Sequence, residues 1–416
     1  MYRIVMALGA MLSCVAMAQE PGAVSQPRFT LERALTLATN TAPSLDAAAA
    51  GLRAADAAHE TAGLLPNPSF AAMTENVGGT GAYRATNSAE TTVGLEIPIE
   101  LGGKRAARVE AAQALRGKAR IDAAQALADV TLRVTAAYIE AAAADLRIEV
   151  ARQQVELARE TQRAARVRVT AGSASPIEQQ RADVLMVKAE TSLTQALRTA
   201  AVTRESLGKL IGQPVGGPLD LDWLTQLGPE TRDAGYGTED SLLLASADAD
   251  VAAADAEIGM ARANSVPDVT FSASARRLAA TNDTAAVFGI SIPLPVFNSG
   301  SSAISQARAE RDRAAARRRD AQIEAEREIA GAKAEIANAV TAARAATGPA
   351  LGAAKEAARV ARLGYTQGKF GQLDLLDAER TLTDTQLSAV DALSDYRHAE
   401  ARLARLTATL SSREVP

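Results

Sequence analysis

"YTQGKFGQLDLLDAER", residues 365–380, has a faint echo 196 residues earlier in "VTAGSASPIEQQRADV", residues 169–184. Thr170, Gly172 and Ala182 stand in register with Thr366, Gly368 and Ala378, and Ile177 and Glu178 answer Leu373 and Asp374. Three identities in sixteen positions are noise alone. A second pair of stretches keeps nearly the same offset: "GLEIPI" (94–99) aligns with "GISIPL" (289–294) at 195. Two unrelated stretches in one register to within a residue make an internal repeat.

Each half reads as helix, two strands, long helix, Gly-rich turn, helix. In the first half, 19–211, a helix opens at Thr30 and runs to about Gly63. Strands are expected at 66–78 and 90–99. The second alternates strictly, with Val93, Leu95, Ile97 and Ile99 on one face and Thr92, Gly94 and Glu96 on the other. A long helix follows over 104–171, with a seam at heptad spacing through Leu127, Val130, Val134, Ala137, Ala141, Ala144, Ile148, Ala151, Val155 and Ala158. Gly172 and Pro176 punctuate a turn at 171–176, and a helix covers 177–211. A Gly- and Pro-rich linker, 212–237, carries Trp223, read as packing. The second half, 238–416, repeats the order: helix, strands at 267–276 and 286–294, long helix 302–367, turn 368–371, helix 372–409. Gly348 and Pro349 fall inside that long helix, where proline removes a hydrogen bond and kinks the rod.

Composition fits long rods better than a thick globular core. Aromatics are 3% of residues, and the net charge of −4 is too mild to suggest nucleic acid. Residues 1–18 form a secretory leader: a basic start, the apolar run Ile4–Leu12, and "AMA" before Gln19. A rival reading makes Cys14 an acylated lipoprotein cysteine, although "MLSC" matches the leucine-led pattern poorly. With cleavage after Ala18 no cysteine remains, hence neither disulfide nor thiolate ligand. His59 and His398 are the two histidines, far apart in sequence, and no nucleophile motif or phosphate loop is present. This excludes an enzyme and a metal store, and implies no cofactor.

The helices are about 100 Å long where they run 67 residues. The four strands have the length, the apolar face and the small polar face of strands in a transmembrane barrel. Four strands cannot close a barrel, and lipid tolerates no open edge, so the chain must oligomerise.

Over its whole mature length the chain resembles the TolC-type outer-membrane efflux channel family. "IELGGKRAARVEAA" (99–112) resembles the CzcC branch that serves cobalt–zinc–cadmium resistance pumps, and "GYTQGKFGQLDLLDAERTL" (364–382) is similar to the family's second tip motif. The resemblance implies a mainly α fold with a small β portion. It implies a homotrimer with a 12-stranded barrel in outer-membrane lipid, a helical barrel through the periplasm, and an equatorial belt near 212–237. It implies partners too: a periplasmic adaptor and an inner-membrane RND transporter, with divalent heavy-metal cations as cargo. Drug efflux, type I protein secretion and a secreted structural coiled coil are the alternatives. The two turns become hairpin tips for the adaptor, with Arg168, Gly172, Ser173, Tyr365, Gly368, Lys369 and Phe370 as contacts. Asp374 and Asp377, one helix face apart by three residues, match the paired aspartates of the family's closed aperture. Phe370 stands where family members carry a basic residue. The basic clusters Lys104–Arg108 and Arg317–Arg319 read as solvated helix faces.

Overall fold

The computed structural model describes residues 28–228 and 241–410. The leader 1–18, Cys14, linker residues 229–237 and the start of the following helix at 239–240 lie outside the described residues.

The spine is α3 (Lys104–Thr170), 67 residues and about 100 Å of uninterrupted helix. Its first half packs against α2 (Pro43–Ala62) and α6 (Leu242–Asn264); its second half packs against α4 (Pro176–Ile211) and α9 (Gln372–Leu406). Beside it runs a second rod, α7 (Ser301–Ala345) continued by α8 (Leu351–Thr366), which packs on α6 and then α9. Along α3 the buried face holds Val130, Val134, Ala141, Ala144, Ala151, Val155 and Ala158. Alanine dominates because each position faces a neighbouring helix at close approach, which leaves no room for a longer side chain.

One break departs from the sequence reading, and the expected disturbance at Pro349 takes a particular form. The first helix is two: α1 (Leu31–Thr41) and α2, separated by Ala42 in an extended conformation. Pro43 is the cause, since proline drives the residue before it out of the helical region and itself starts a helix well. Gly348 and Pro349 sit in a π turn, Ala346–Ala350, joining α7 to α8. A wider turn spares the proline ring its clash with the carbonyl four residues back, so the rod continues through it.

Midway along α3 the rod is wrapped by a belt. Tyr138 is fully buried, and its hydroxyl donates to the Phe29 carbonyl at 2.8 Å. The Asp220 N–H donates to the same hydroxyl at 3.1 Å. The Phe29 and Leu219 segments form a parallel bridge, with Phe29 N–H donating to Pro218 at 2.8 Å. Trp223, in the short helix α5 (Leu221–Thr225), meets Tyr138 edge-on at 5.6 Å between ring centres. Arg397 from α9 lies 4.6 Å over the Trp223 ring and donates to the Trp223 and Gln226 carbonyls. One aromatic pair thus ties the chain's first described residues, the linker, α3 and α9 together.

At the far end of the rods four strands form one antiparallel sheet in the order β1 (Ser69–Glu75), β2 (Glu90–Ile99), β3 (Val269–Leu278), β4 (Asp283–Ser291). Register sets Leu95 opposite Phe70 and Ala273, and Ala273 opposite Phe288. These residues, with Val93, Ile97, Ile99, Phe271 and Ile290, make one apolar face, and Phe70, Phe288 and Ile290 are 70%, 81% and 65% exposed. The opposite face holds Thr92, Gly94, Glu96, Ser272, Ser274 and Gly289. β1 and β4 each have one edge without a strand partner among the described residues.

The sheet meets the rods through tight glycine joints. Gly102 has φ +71°, and a Cβ there would lie 2.6 Å from Val266 Cβ. Lys104 pairs with Asp268 at 2.7 Å, and Arg108 pairs with Glu100 and donates to the Leu64 carbonyl at 3.1 Å. Within the first basic cluster, then, Lys104 and Arg108 clamp the junction instead of facing solvent. In the second, Arg318 pairs with Asp248 at 2.6 Å across to α6.

Candidate functional site

The two turns at the end opposite the sheet come together in one chain. In the first, Ser173 N–H and Oγ both donate to the Arg168 carbonyl, at 2.9 and 3.0 Å, closing α3. Gly172 supplies the left-handed residue, φ +69°, with open space around it. In the second, Lys369 and Phe370 N–H groups donate to the Gly364 carbonyl at 2.8 and 3.2 Å, and Gly368 takes φ +73°, again in open space. Both glycines are set by backbone geometry, since other L-residues there are strained. The absence of neighbours leaves both turns accessible from outside.

Arg168 joins the two. Its Nη1 donates to the Tyr365 carbonyl at 3.2 Å and its guanidinium lies 4.7 Å over the Tyr365 ring. Tyr365 is only 2% exposed. Its ring packs between the two hairpins with Ala361, Leu375, Ala164 and Ala378, so it is a seam residue and its ring offers no docking surface. Its hydroxyl lies beside the Glu178 carboxylate without closing a hydrogen bond to it. Burial first, and then that carboxylate, raise the phenol above its usual value. Gln372 donates to the Glu178 carbonyl at 2.7 Å, a second link between hairpins 194 residues apart. Arg168 Nε, Glu178 Oε2, Tyr365 OH and Gln372 Oε1 are buried there without hydrogen-bond partners.

Phe370 closes the second turn by lying over Gly364. A Cβ at 364 would sit 2.0 Å from Phe370 Cδ2. Gly364→Ala is therefore expected to expel the Phe370 ring and loosen the turn. Adding Phe370→Ala should relieve the clash in that background; limited proteolysis at the turn checks both.

Asp374 and Asp377 lie exposed on the first turns of α9. Asp374 Oδ2 accepts from the Gly371 N–H at 2.9 Å, so this carboxylate also caps its helix, where the helix dipole favours negative charge. One turn on, buried Glu379 is held by Arg362 of α8, whose Nη2 donates at 2.9 Å. The Arg362–Glu379 pair, Gly364 and the Glu178–Gln372 link are contacts at this end that sequence reading does not single out. Each is defined by a partner on another helix; the Gly-Tyr pair at 364–365 is the one local signal available.

Among the described residues no cluster of His, Cys, Asp or Glu is arranged to hold a metal ion. No helix among them is long and apolar enough to cross a membrane.

Residues 34–213 and 238–409 match the model of the family described as outer membrane efflux protein. The cobalt-zinc-cadmium resistance protein CzcC of Cupriavidus metallidurans is 31% identical over 387 residues, covering 91% of this chain and 90% of that protein. The nickel-cobalt-cadmium resistance protein NccC of Alcaligenes xylosoxydans is 28% identical over 266 residues, 64% of this chain and 61% of its own length. Among solved structures, the outer membrane protein VceC of Vibrio cholerae superposes with a TM-score of 0.76 at 21% identity, covering 91% of this chain and 96% of that one, a likeness of fold.

Proposed function

The chain belongs to the outer membrane efflux protein family, and from that premise we propose that it is the outer-membrane duct of a tripartite RND-type pump that expels divalent heavy-metal cations. The observation that carries the channel is the sheet: four strands with one exposed apolar face, two open edges and rods about 100 Å long beneath them. Lipid covers such a face only if the edges are paired, and copies of the same chain are the available partners. Three copies give twelve strands and a closed barrel. The separate family matches to 34–213 and 238–409 support a duplicated half as the building unit. Similarity to CzcC and NccC supports cobalt, zinc, cadmium or nickel ions as cargo.

In this reading the tips face an adaptor in the periplasm. Gly172, Ser173, Gly368 and Lys369 offer it open backbone, while Arg168 and Tyr365 hold the hairpins of each chain together. The seam between them is the place that parts when the duct opens. Asp374 and Asp377 face the axis at the closed end as rings of three carboxylates, and such rings attract cations. The duct conducts the ions and does not store them.

Deleting the gene should raise sensitivity to cobalt, zinc and cadmium salts, and the wild-type chain should restore tolerance. Unchanged tolerance to all three, with the adaptor and pump intact, would remove metal cargo from the account. Asp374→Ala with Asp377→Ala should enlarge single-channel conductance in planar bilayers and weaken block by divalent cations. Conductance and block at wild-type values would place the aperture elsewhere.

A further inference from the structure

The polar face of the sheet carries few charges, and their placement is uneven. Near the β1–β2 and β3–β4 turns, Arg276 pairs with Glu90 at 3.0 Å and Glu75 at 3.5 Å, and donates to Thr92 Oγ1 at 2.9 Å. Asp283 ends the ladder at the β3–β4 turn, opposite Leu278. Between that cluster and the helix junction stands one further charged side chain on this face, Glu96. It is exposed and makes no hydrogen bond or ion pair among the described residues.

Its neighbours are small by necessity. Across the four strands its level reads Ser69, Glu96, Ser272 and Gly289. A Cβ on Gly289 would lie 2.6 Å from Ser272 Oγ, and one on Gly94 would lie 2.1 Å from Ser274 Oγ. No bulky side chain can stand beside the carboxylate, so it is the group that projects. Nor can another copy neutralise it. Arg276 is the basic residue on this face of the sheet, four positions along the ladder from Glu96's level, about 13 Å away and already paired. In another copy joined edge to edge, Arg276 on β3 lies at least three strand spacings, about 14 Å, from Glu96 on β2.

We propose that Glu96 sets the ionic preference of the barrel lumen, as a ring of carboxylates that favours cations at the membrane end of the duct. The inference rests on the reading that the polar face of the sheet lines the pore of a trimer. It assigns a specificity role separate from Asp374 and Asp377 at the opposite end of the rods. Three carboxylates about 10 Å from the axis, partly screened in 0.1 M salt, bias cation over anion passage by about fivefold. Low-dielectric barrel walls concentrate that field.

The test is the reversal potential of purified trimers in planar bilayers under a potassium chloride gradient. The Asp374→Ala/Asp377→Ala background removes the distal charges. Glu96→Gln should then lower the cation-to-anion permeability ratio by about fivefold in 0.1 M salt, and the loss should shrink in 1 M salt. Glu96→Lys should turn the preference toward anions, and Glu96→Asp should keep it. The Asp and Lys variants decide the matter if the Gln variant assembles poorly, since Asp must then hold the cation preference that Lys reverses. A Glu96→Gln or Glu96→Lys reversal potential equal to the background overturns the proposal while leaving the channel reading intact. A wild-type chain that forms no conducting trimer overturns the channel reading itself.

Discussion

Gly94→Ala is expected to abolish the membrane-inserted form. Gly94 sits in the middle of β2, paired with Ala71 on one side and Ser274 on the other. A Cβ there would lie 2.1 Å from Ser274 Oγ, 2.6 Å from Ser274 Cβ and 2.5 Å from the Ala273 carbonyl oxygen. The serine hydroxyl can rotate away; the backbone oxygen moves only if β2 and β3 separate. Overpacking that forces backbone apart costs about 3 kcal/mol or more, and here it opens the join between the two hairpins of the sheet. Adding Ser274→Gly should rescue poorly, because the carbonyl contact remains. By contrast, Gly51→Ala and Gly117→Ala meet nothing within 4 Å on their helices, and should be neutral or stabilise by about 0.5–1 kcal/mol. Outer-membrane yield of the four variants, by fractionation, checks the contrast.

The second large effect belongs to the belt. Tyr138→Ala removes a fully buried ring, its edge-on contact with Trp223 and the hydroxyl that receives Asp220 and donates to Phe29. Truncating a buried aromatic to alanine costs about 3–5 kcal/mol. Tyr138→Phe should cost only about 1 kcal/mol, because the Asp220 N–H also donates to the Phe29 carbonyl at 3.1 Å and keeps a partner. Melting in detergent, with limited proteolysis of the linker, separates the two. Burial raises the Tyr138 phenol to about 12 from its ordinary 10.0. A raised acid favours the fold while neutral, so this contribution is complete below pH 10 and is lost between about pH 10 and 12. The belt should loosen there in the wild type and not further in Tyr138→Phe.

Local pattern carries the sheet. The strict alternation of 91–99 depends on a period of two and on the chemistry of two faces, both written in consecutive residues, and it is the stretch the structure holds as β2. The long helices are legible for the same reason: the heptad seam of α3 runs from Leu127 to Ala158 without a proline or glycine. Pro43 was equally local, yet the alanine-rich run on either side hides the break that it imposes at Ala42. Pro349 signals a disturbance in the rod, and its local form is the π turn Ala346–Ala350.

The tip shows where sequence reading ends. Gly172 and Gly368 are readable because a left-handed turn residue is a local requirement. Tyr365 reads as an exposed aromatic at a turn and is buried, because α3 and α4 cover it from nearly 200 residues away. Glu379 carries no local signal in the sequence, and it is buried where Arg362 reaches it from α8. Lys104 and Arg108 read as solvated charge until Asp268 and Glu100 come beside them. Charged residues in particular take their meaning from the partner, and the partner is a product of the fold.

Everything in the account rests on the open edges of the sheet being closed by other copies of the chain. β1 and β4 of one chain lie at opposite edges, three strand spacings or about 14 Å apart, beyond the 7 Å limit for a disulfide. A bond between Ala72→Cys on β1 and Ala286→Cys on β4 can therefore form only between chains. Neighbouring pairs of positions along the two strands should be scanned in the same way to find the register. The prediction is that oxidised outer membranes carrying such a pair yield a covalent ladder that stops at three copies, with the third closing the ring. A chain that stays monomeric in the periplasmic fraction at every register, or a ladder that runs past three, would contradict the barrel.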